Sequence, residues 1–337
     1  MLTASVGACI VWNSRSGAAL RTLDLGAGVA ALSVAFGPGT RHAIVGCKDG
    51  SLKMFDLASG DCTDEGTGAH DGPVWALATL ANGRGIATGS SDKEVKFWDF
   101  DNTTAGDLKL VHVRTLRVGD EVLALRFSSH ADPARVLLAV ALLDATVKVF
   151  YNDTLRFALS LYGHTLPVLS MDISADGTLL ATGSADKTLK VWGLDFGDLH
   201  KSFHAGSGAV TAVGFVANTH YVFTGGRDRS LRYWDVDRFA RIYSVESAHS
   251  ADVWAIAASP DGTFVATSGA DRALRIWRRT QEQVFIDEER EKELSGALVR
   301  VHAPPSHIHS SPVCIETITF SPLSPRPPLF FSGSCVP

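Results

Sequence analysis

Hydrophobic and polar positions alternate along the chain in short runs that are separated by turn residues. In residues 167–192 the run PVLSMDIS is followed by the turn Ala175-Asp176-Gly177, the run TLLATGS, a second turn at Asp186-Lys187 and the run TLKVW. Short runs rich in β-branched residues and separated by Asp-Gly or Gly-Ser are typical of β-hairpins. The pattern therefore predicts antiparallel strands over most of the chain.

This pattern repeats along the sequence. Similar segments end on an aromatic residue, and successive ends lie 42 or 43 residues apart except for one step of 52. An aspartate lies six residues before the aromatic residue in every unit but the first, and three units carry a histidine 22 residues before that aspartate. The aromatic ends are Trp12, Phe55, Trp98, Phe150, Trp192, Trp234 and Trp277; the aspartates are Asp49, Asp92, Asp144, Asp186, Asp228 and Asp271; the histidines are His70, His164 and His249.

Four strands in a period of about 40–45 residues are the signature of a β-propeller blade. We therefore predict an all-β fold, a seven-bladed propeller over residues 1–279, with an incomplete first blade formed by the strands around LTAS and ACIVW. The step of 52 indicates a loop insertion in the polar stretch 101–107. Beyond the propeller we expect a short charged helix at 280–299 and an irregular, disordered tail rich in Pro, Ser and His at 300–337.

An alternative gives part of the tail a structural role. Residues 309–322, followed by LFFSGS, mimic the first two strands of a repeat. Under this hypothesis, residues 310–320 supply the missing inner strand of the first blade beside Ala8–Trp12 and cover its open edge.

Composition and charge narrow the functional classes. Hydrophobic residues make up 45% of the chain, which excludes disorder throughout. The longest apolar run, Val136–Leu143, is far shorter than the roughly 18 residues of a membrane span, so no membrane partner is expected. The net charge of −5 argues against a globally basic nucleic-acid binder but leaves room for a local basic face. Five cysteines without C-x-x-C spacing favour a reducing intracellular setting.

A hydroxyl residue, a histidine and an aspartate in one neighbourhood raise the question of a catalytic triad. This set recurs in several repeats, whereas a catalytic site is normally single, and a tryptophan accompanies it each time. The sequence contains no zincin, P-loop or dinucleotide-binding motif. We therefore expect no catalytic residue, metal, cofactor or small-molecule substrate, and we interpret the tail cluster of His302, His307 and His309 as solvated.

The units resemble WD repeats. The matching elements are the pair Gly163-His164, the turn residue Asp186, and the pairs Trp98-Asp99 and Trp234-Asp235. The resemblance implies a buried hydrogen-bond relay, because a buried imidazole and carboxylate are costly unless each finds a partner. The implied relay residues are His70, Thr88, Asp92, Trp98, His164, Thr182 (or Ser184), Asp186, Trp192, Asp228, Trp234, His249, Thr267, Asp271 and Trp277.

Some units depart from this pattern. Gly206 stands at the histidine position of the sixth unit, and Phe55 and Phe150 replace tryptophan. We expect the corresponding blades to lack part of the relay.

Two further sets of residues are candidates for contact with a partner. The pattern D-[KR]-x-x-[KR]-x-W recurs in four units, and its cations either form a ring for RNA phosphates or cover apolar strand surface with their alkyl stems. Trp75 and Trp254, five residues after their histidines, are candidate anchors for a partner or packing residues between blades. Lys48 and Arg227, each just before a turn aspartate, are further partner-binding candidates.

A closer resemblance covers residues 1–293. Residues 159–203, with the unusual WGLDFGD at 192–198, are similar to the second propeller of the WD-repeat protein 3 family, whose first propeller and C-terminal helical domain have no counterpart here. This implies a non-catalytic scaffold of the small-subunit processome, acting in precursor rRNA processing in the nucleolus. The implied partners are other WD-repeat subunits of the UtpB complex, the small nucleolar ribonucleoprotein and precursor rRNA. The segments that fit in the same order are 49–61, 69–77, 94–100 and 142–157.

The alternative function is that of a general WD-repeat adaptor, such as the substrate receptor of a ligase. A propeller enzyme is a third reading, which the repeated relay and the missing metal motifs disfavour.

Overall fold

A computed structural model describes residues 1–26, 28–80, 83–102, 108–130, 132–279 and 316–318. It contains seven antiparallel sheets, six with four strands and one with three, in which strands that follow each other in the chain are neighbours. The first strands of successive blades lie against one another from the second blade to the seventh, so these strands line the centre of the ring. The predicted seven-bladed propeller with an incomplete first blade is confirmed.

The blades follow the chain. Blade one contains β1 (Leu2–Ala4), β2 (Ala8–Trp12) and β3 (Ala19–Asp24); blade two contains β4 (Ala31–Phe36), β5 (His42–Cys47), β6 (Leu52–Asp56) and β7 (Cys62–Gly66). Blade three contains β8 (Val74–Thr79), β9 (Gly85–Ser90), β10 (Glu94–Asn102) and β11 (Leu108–Arg117); blade four contains β12 (Val122–Phe127), β13 (Leu137–Leu142), β14 (Val147–Tyr151) and β15 (Phe157–Leu161). Blade five contains β16 (Val168–Ile173), β17 (Leu179–Ser184), β18 (Thr188–Gly193) and β19 (Leu199–His204); blade six contains β20 (Val210–Phe215), β21 (Tyr221–Gly226), β22 (Leu231–Asp235) and β23 (Ala240–Val245). Blade seven contains β24 (Val253–Ala258), β25 (Phe264–Gly269), β26 (Leu274–Arg278) and β27 (Glu316–Ile318), and two short 3-10 helices lie at Pro38–Thr40 and Pro133–Arg135.

The tail contributes a strand, but not the one that the sequence suggested. Strand β27 pairs antiparallel with β26, with Ile318 opposite Leu274, and forms the outer strand of blade seven. The hypothesis that this segment lies beside Ala8–Trp12 is therefore wrong, because Glu316–Ile318 covers the free edge of β26 instead. The predicted helix at 280–299 and the rest of the tail lie outside the described residues.

The core lies between neighbouring sheets. Fully buried Met54 of blade two packs with Ile86 of blade three, and similar clusters join the following blades. In four blades, a glycine near the end of the second strand packs against the first residue of the next blade's inner strand. A Cβ placed on Gly183 would lie only 2.5 Å from Cγ1 of Val210. The blades therefore approach each other at positions where no side chain fits.

No helix in the described part of the chain has the length and apolar character needed to cross a membrane.

Candidate functional site

Blade five shows the relay in full. His164 lies in the loop before β16, Thr182 in β17, Asp186 in the turn after β17, and Trp192 in β18. The His164 Nδ1 atom is 2.8 Å from Oδ2 of Asp186, and its Nε2 atom is 2.8 Å from Oγ1 of Thr182. The Trp192 indole N–H donates to the same Thr182 oxygen over 2.9 Å. Ser184 instead donates to the carbonyl oxygen of Leu166, so Thr182 is the hydroxyl that meets the imidazole.

Blades three and seven repeat this geometry. In blade three, His70 is 2.7 Å from Asp92 and 2.7 Å from Thr88, and Trp98 donates to Thr88 over 2.9 Å. In blade seven the corresponding contacts join His249 with Asp271 (3.0 Å), His249 with Thr267 (2.8 Å), and Trp277 with Thr267 (3.0 Å).

Burial sets the charge of the relay. The His164 and Asp186 side chains are 2% and 8% exposed. Burial lowers the pKa of His164, against the opposing effect of Asp186, so the imidazole is neutral near pH 7. Burial alone would raise the pKa of Asp186, but hydrogen bonds from Thr188 and His164 outweigh it and lower that pKa. With its proton on Nδ1, His164 donates to Asp186 and accepts from Thr182. The buried Thr182 hydroxyl thus has hydrogen bonds to both the imidazole and the indole. This fits a structural role and not that of a nucleophile.

Blade six uses a different partner for its aspartate. Trp234 donates to Thr224 over 2.9 Å, as in the other blades, but Gly206 stands at the histidine position. The Arg232 Nη1 atom lies 2.8 Å from Oδ2 of Asp228, and both side chains are largely buried. A Cβ on Gly206 would collide with both of these groups. The guanidinium therefore occupies the space of the missing imidazole, a substitution that the spacing of the repeat does not reveal.

The remaining blades keep fragments of the relay. In blade one, Trp12 donates to Thr3 over 2.7 Å, and Thr3 was not among the predicted residues. In blades two and four the turn aspartates Asp49 and Asp144 accept from the hydroxyl of the residue two positions later, over 2.6 Å in each case. These two blades carry Phe55 and Phe150 in their cores.

The paired basic residues of the repeat separate into two groups. The second member of each pair lies within its blade: the side chain of Lys96 is 19% exposed, and its Nζ atom donates to the Ala69 carbonyl over 2.7 Å. Arg232 and Arg275 are similarly enclosed. Lys96, Arg232 and Arg275 are therefore engaged within their own blades. The first members, all exposed and all at positive φ, are Lys93, Lys187, Arg229 and Arg272.

Lys48 and Arg227 occupy equivalent places in blades two and six. The backbone N–H of Lys48 donates to Ala30 over 2.8 Å, and that of Arg227 donates to Ala209 over 2.9 Å. Each residue is thereby fixed beside the start of its inner strand. Both side chains are exposed, and within the described residues neither forms an ion pair.

Trp75 and Trp254 also occupy equivalent places, as the second residues of β8 and β24. In both strands the register shifts at this residue, which marks a β-bulge. A bulge re-aims the side chain that it carries, and the two tryptophans are 43% and 54% exposed. Both indoles are therefore accessible to solvent.

The four predicted partner residues share one side of the ring. The start of each inner strand lies beside the end of the second strand, as Val74 does beside Ser90, so the inner-strand starts and the aspartate turns lie together. We call this side the top face. It also exposes Leu143, Tyr162 and Leu166, which are not among the residues predicted from the sequence. Leu143 precedes Asp144 as Lys48 precedes Asp49, so its position in the repeat was a usable signal.

No group of three or more His, Cys, Asp or Glu side chains in the described ranges is arranged to hold a metal ion.

Comparison with known proteins agrees with the geometry. Residues 1–284 match the family described as the WDR3 second beta-propeller domain. The chain is 44% identical over 173 residues to WD repeat-containing protein 3 of Mus musculus and 45% identical over 173 residues to that of Homo sapiens. It is 43% identical over 182 residues to U3 small nucleolar RNA-associated protein 12 of Saccharomyces cerevisiae.

These matches cover 50%, 50% and 51% of this chain but only 18%, 18% and 19% of the relatives, so the chain spans less than a fifth of their length in these alignments. A chain from the crystal structure of the mitotic checkpoint complex superposes with a TM-score of 0.71 at 22% identity, over 83% of this chain and 84% of that chain. That likeness concerns the fold alone. Because the family match covers well over half of its residues, the chain belongs to the family of WDR3 second β-propeller domains.

Proposed function

We propose that this propeller is a non-catalytic scaffold in the assembly of the small ribosomal subunit, within the small-subunit processome of the nucleolus and thus in the nucleus. The observation that carries the proposal is the family match over residues 1–284, together with a yeast relative named for its association with U3 small nucleolar RNA. Its partners are other WD-repeat subunits of the UtpB complex, with the small nucleolar ribonucleoprotein and precursor rRNA reached directly or through them.

The relays support a non-catalytic role. Each threonine hydroxyl is engaged by an imidazole and an indole, and each histidine is enclosed. The same arrangement in three blades holds strands together around the ring. The propeller then contributes a rigid frame on which exposed groups keep fixed positions.

The top face supplies the groups that bind partners. Trp75 and Trp254 are half-exposed aromatic residues held on bulged strands, and such residues are frequent anchors of interfaces. Lys48 and Arg227 add exposed cations to the same face, which would orient an acidic partner surface. We propose these four residues as the docking set.

The test is purification of partners with the tagged chain. We expect processome proteins and U3 RNA in the eluate, and we expect the double variant Trp75→Ala, Trp254→Ala to reduce their recovery at least tenfold, since anchors contribute about 2 kcal/mol or more each. The matched control is Phe196→Ala, which removes an 89% exposed aromatic residue from the opposite face. Recovery of a ligase core in place of processome proteins would establish the adaptor function instead.

A further inference from the structure

The outer strand of blade three differs from the other outer strands in length and in charge. Strand β11 has ten residues, whereas the other described outer strands have three to six. It carries the cations Lys109, Arg114 and Arg117 together with His112, and it contains no acidic residue. Each of the other described outer strands contains at most one lysine or arginine. Blade three therefore presents a long basic edge on the outside of the ring.

The backbone of this edge has hydrogen-bonding groups that β10 does not use. In an antiparallel pair, successive residues direct their N–H and C=O groups alternately toward and away from the neighbouring strand. The N–H of Val118 donates to the residue just before β10, so the N–H groups of Arg117 and Thr115 point away from β10. The N–H of Leu110 also points away, since it donates to a carboxylate of blade two, and the same alternation turns His112 outward. No acceptor within the described residues meets the outward N–H groups of His112, Thr115 and Arg117.

A cavity of about 460 Å³ opens beside these three residues, between β11 and the loop that follows β7. His112, Thr115 and Arg117 line it together with Lys96 and Glu94 of β10. The Nε atom of Arg117 lies 3.0 Å from Glu94, and the Nζ atom of Lys96 lies 3.4 Å from the same carboxylate. Two cations that share one carboxylate leave a net positive charge in this cavity, which attracts a further carboxylate.

The other face of β11 is apolar and firmly held. Val111 and Val113 are half-exposed and lie on the face away from the cavity, because successive side chains of a strand alternate between its faces. The Arg114 guanidinium donates to Asn152 over 3.0 Å and to the carbonyl of Asp153 over 2.8 Å, both in blade four. The strand is therefore fixed before any partner arrives, which reduces the entropy lost on binding.

Charge decides which strand can pair with this edge. A second copy of β11 would bring the cations Lys109, Arg114 and Arg117 of both copies together, and like charges on paired strands destabilise a sheet. A strand with carboxylates on the cavity side and aliphatic residues on the side of the two valines complements both faces of β11.

We propose that β11 accepts an extended acidic segment of a partner polypeptide as a fifth strand of blade three, with aspartate or glutamate opposite Thr115 and Arg117 and aliphatic residues between them. The added strand is antiparallel to β11, the more stable arrangement. Main-chain hydrogen bonds to the edge provide affinity, and alternate side chains provide specificity. The site lies on the outside of the ring, apart from the docking set of the top face, and does not rest on the function proposed above.

The peptide arm of the test uses the full chain and a fluorescein-labelled peptide with the sequence EVEIEVE. We expect saturable binding in fluorescence anisotropy, with an affinity that falls as salt is added, because exposed charges are screened. Methylation of the glutamate backbone nitrogens should abolish binding, since those N–H groups face β11, whereas methylation of the valine and isoleucine nitrogens should leave it unchanged. The basic peptide KVKIKVK should not bind.

The protein arm uses Thr115→Pro. This substitution removes an outward N–H at an edge, where a strand tolerates proline, and should weaken peptide binding about tenfold or more without a change in charge. Ser202→Pro is the matched control, because Ser202 lies opposite Lys190 in blade five as Thr115 lies opposite Lys96. The control should bind the peptide as the unchanged chain does.

The proposal is wrong if EVEIEVE does not bind, if its glutamate-methylated form binds equally well, or if Thr115→Pro binds the peptide as tightly as Ser202→Pro does. The methylated peptides test the unchanged chain, so the result holds even where Thr115→Pro lowers the Tm. Tighter binding of a single-stranded oligouridine RNA that displaces the peptide would also overturn the proposal, because it would assign the basic strand to nucleic acid.

Discussion

The aspartates in the turns between the second and third strands have different partners in different blades. In blades three, five and seven an imidazole does so, and in blade six the partner is Arg232. Burial alone would raise the pKa of Asp228, but the Ser230 hydroxyl and the Arg232 guanidinium together lower it. Asp228 is therefore ionised and depends on Arg232 for its neutralisation.

Arg232→Met should destabilise the protein by about 3 kcal/mol, because removal of one partner leaves a largely buried carboxylate without its cation. The measurement is urea unfolding near pH 7. Arg229→Met, which removes an exposed arginine from the same turn, is the control and should change stability by less than about 0.5 kcal/mol. Equal effects of the two substitutions on stability would contradict the claim that Arg232 replaces the relay histidine as the partner of Asp228.

The regular spacing of the relay residues follows from strand register. Asp186 lies in the turn between β17 and β18, and Trp192 lies opposite Leu180, so a fixed offset from the turn brings the indole to Thr182. Arg232 was not foreseen because spacing does not say whether a long basic side chain turns inward or outward. Thr3 was missed because the first blade carries no turn aspartate from which to count.

At the scale of the element, close approach of strands from neighbouring blades determines which residues are tolerated. Gly183 in β17 faces Val210 of β20, and Val213 lies at a similar distance. The backbone of Gly183 is not at positive φ, so the need for glycine here comes from space and not from backbone strain.

Gly183→Ala should therefore destabilise the protein by about 1–3 kcal/mol, since the added methyl group must displace two buried valines. Gly119→Ala provides the control, because the nearest atom to its new Cβ is the flexible Nζ of Lys148 at 3.6 Å. That substitution should be neutral or stabilise slightly by restricting the unfolded chain. The two melting curves, compared side by side, give the result; coincident curves would refute the inter-blade contact.

Strand order was predictable, but the partner of the tail strand was not. The repeat leaves two edges open, the inner edge of blade one and the outer edge of blade seven, and the alternation in residues 309–322 suits either. Strand β27 pairs with β26, the last strand before it in the chain. Sequence periodicity identifies a strand but not which free edge it meets.

At the scale of the whole molecule, four histidines with shifted pKa values fall into two groups with opposite pH dependence. Burial lowers the pKa of His70, His164 and His249, so the stability that they contribute is present above pH 6.5 and is lost as pH falls through their lowered pKa values. His220 differs, because it joins the turn of blade five at Asp176 to the turn of blade six at Asp237.

The hydrogen bond to Asp237, followed by that to Asp176, raises the pKa of His220 above 6.5 despite partial burial. Its contribution is therefore complete below pH 6.5 and is lost as pH rises through the raised value. We expect His220→Gln to lower the Tm at pH 6 and below and to have a smaller effect on the Tm at pH 8.5 and above. The measurement is the Tm of both proteins from about pH 5 to pH 9. His204→Gln removes an exposed histidine of β19 and is the control.

Acid unfolding of the ring should persist in His220→Gln, because the three relays must still accept protons on their buried imidazoles. The difference in Tm between the unchanged chain and His220→Gln at each pH then measures the contribution of the bridge between blades five and six, separately from that of the relays. A difference that grows as pH rises would contradict the bridge, since a neutral imidazole cannot donate to Asp176 and Asp237 at the same time.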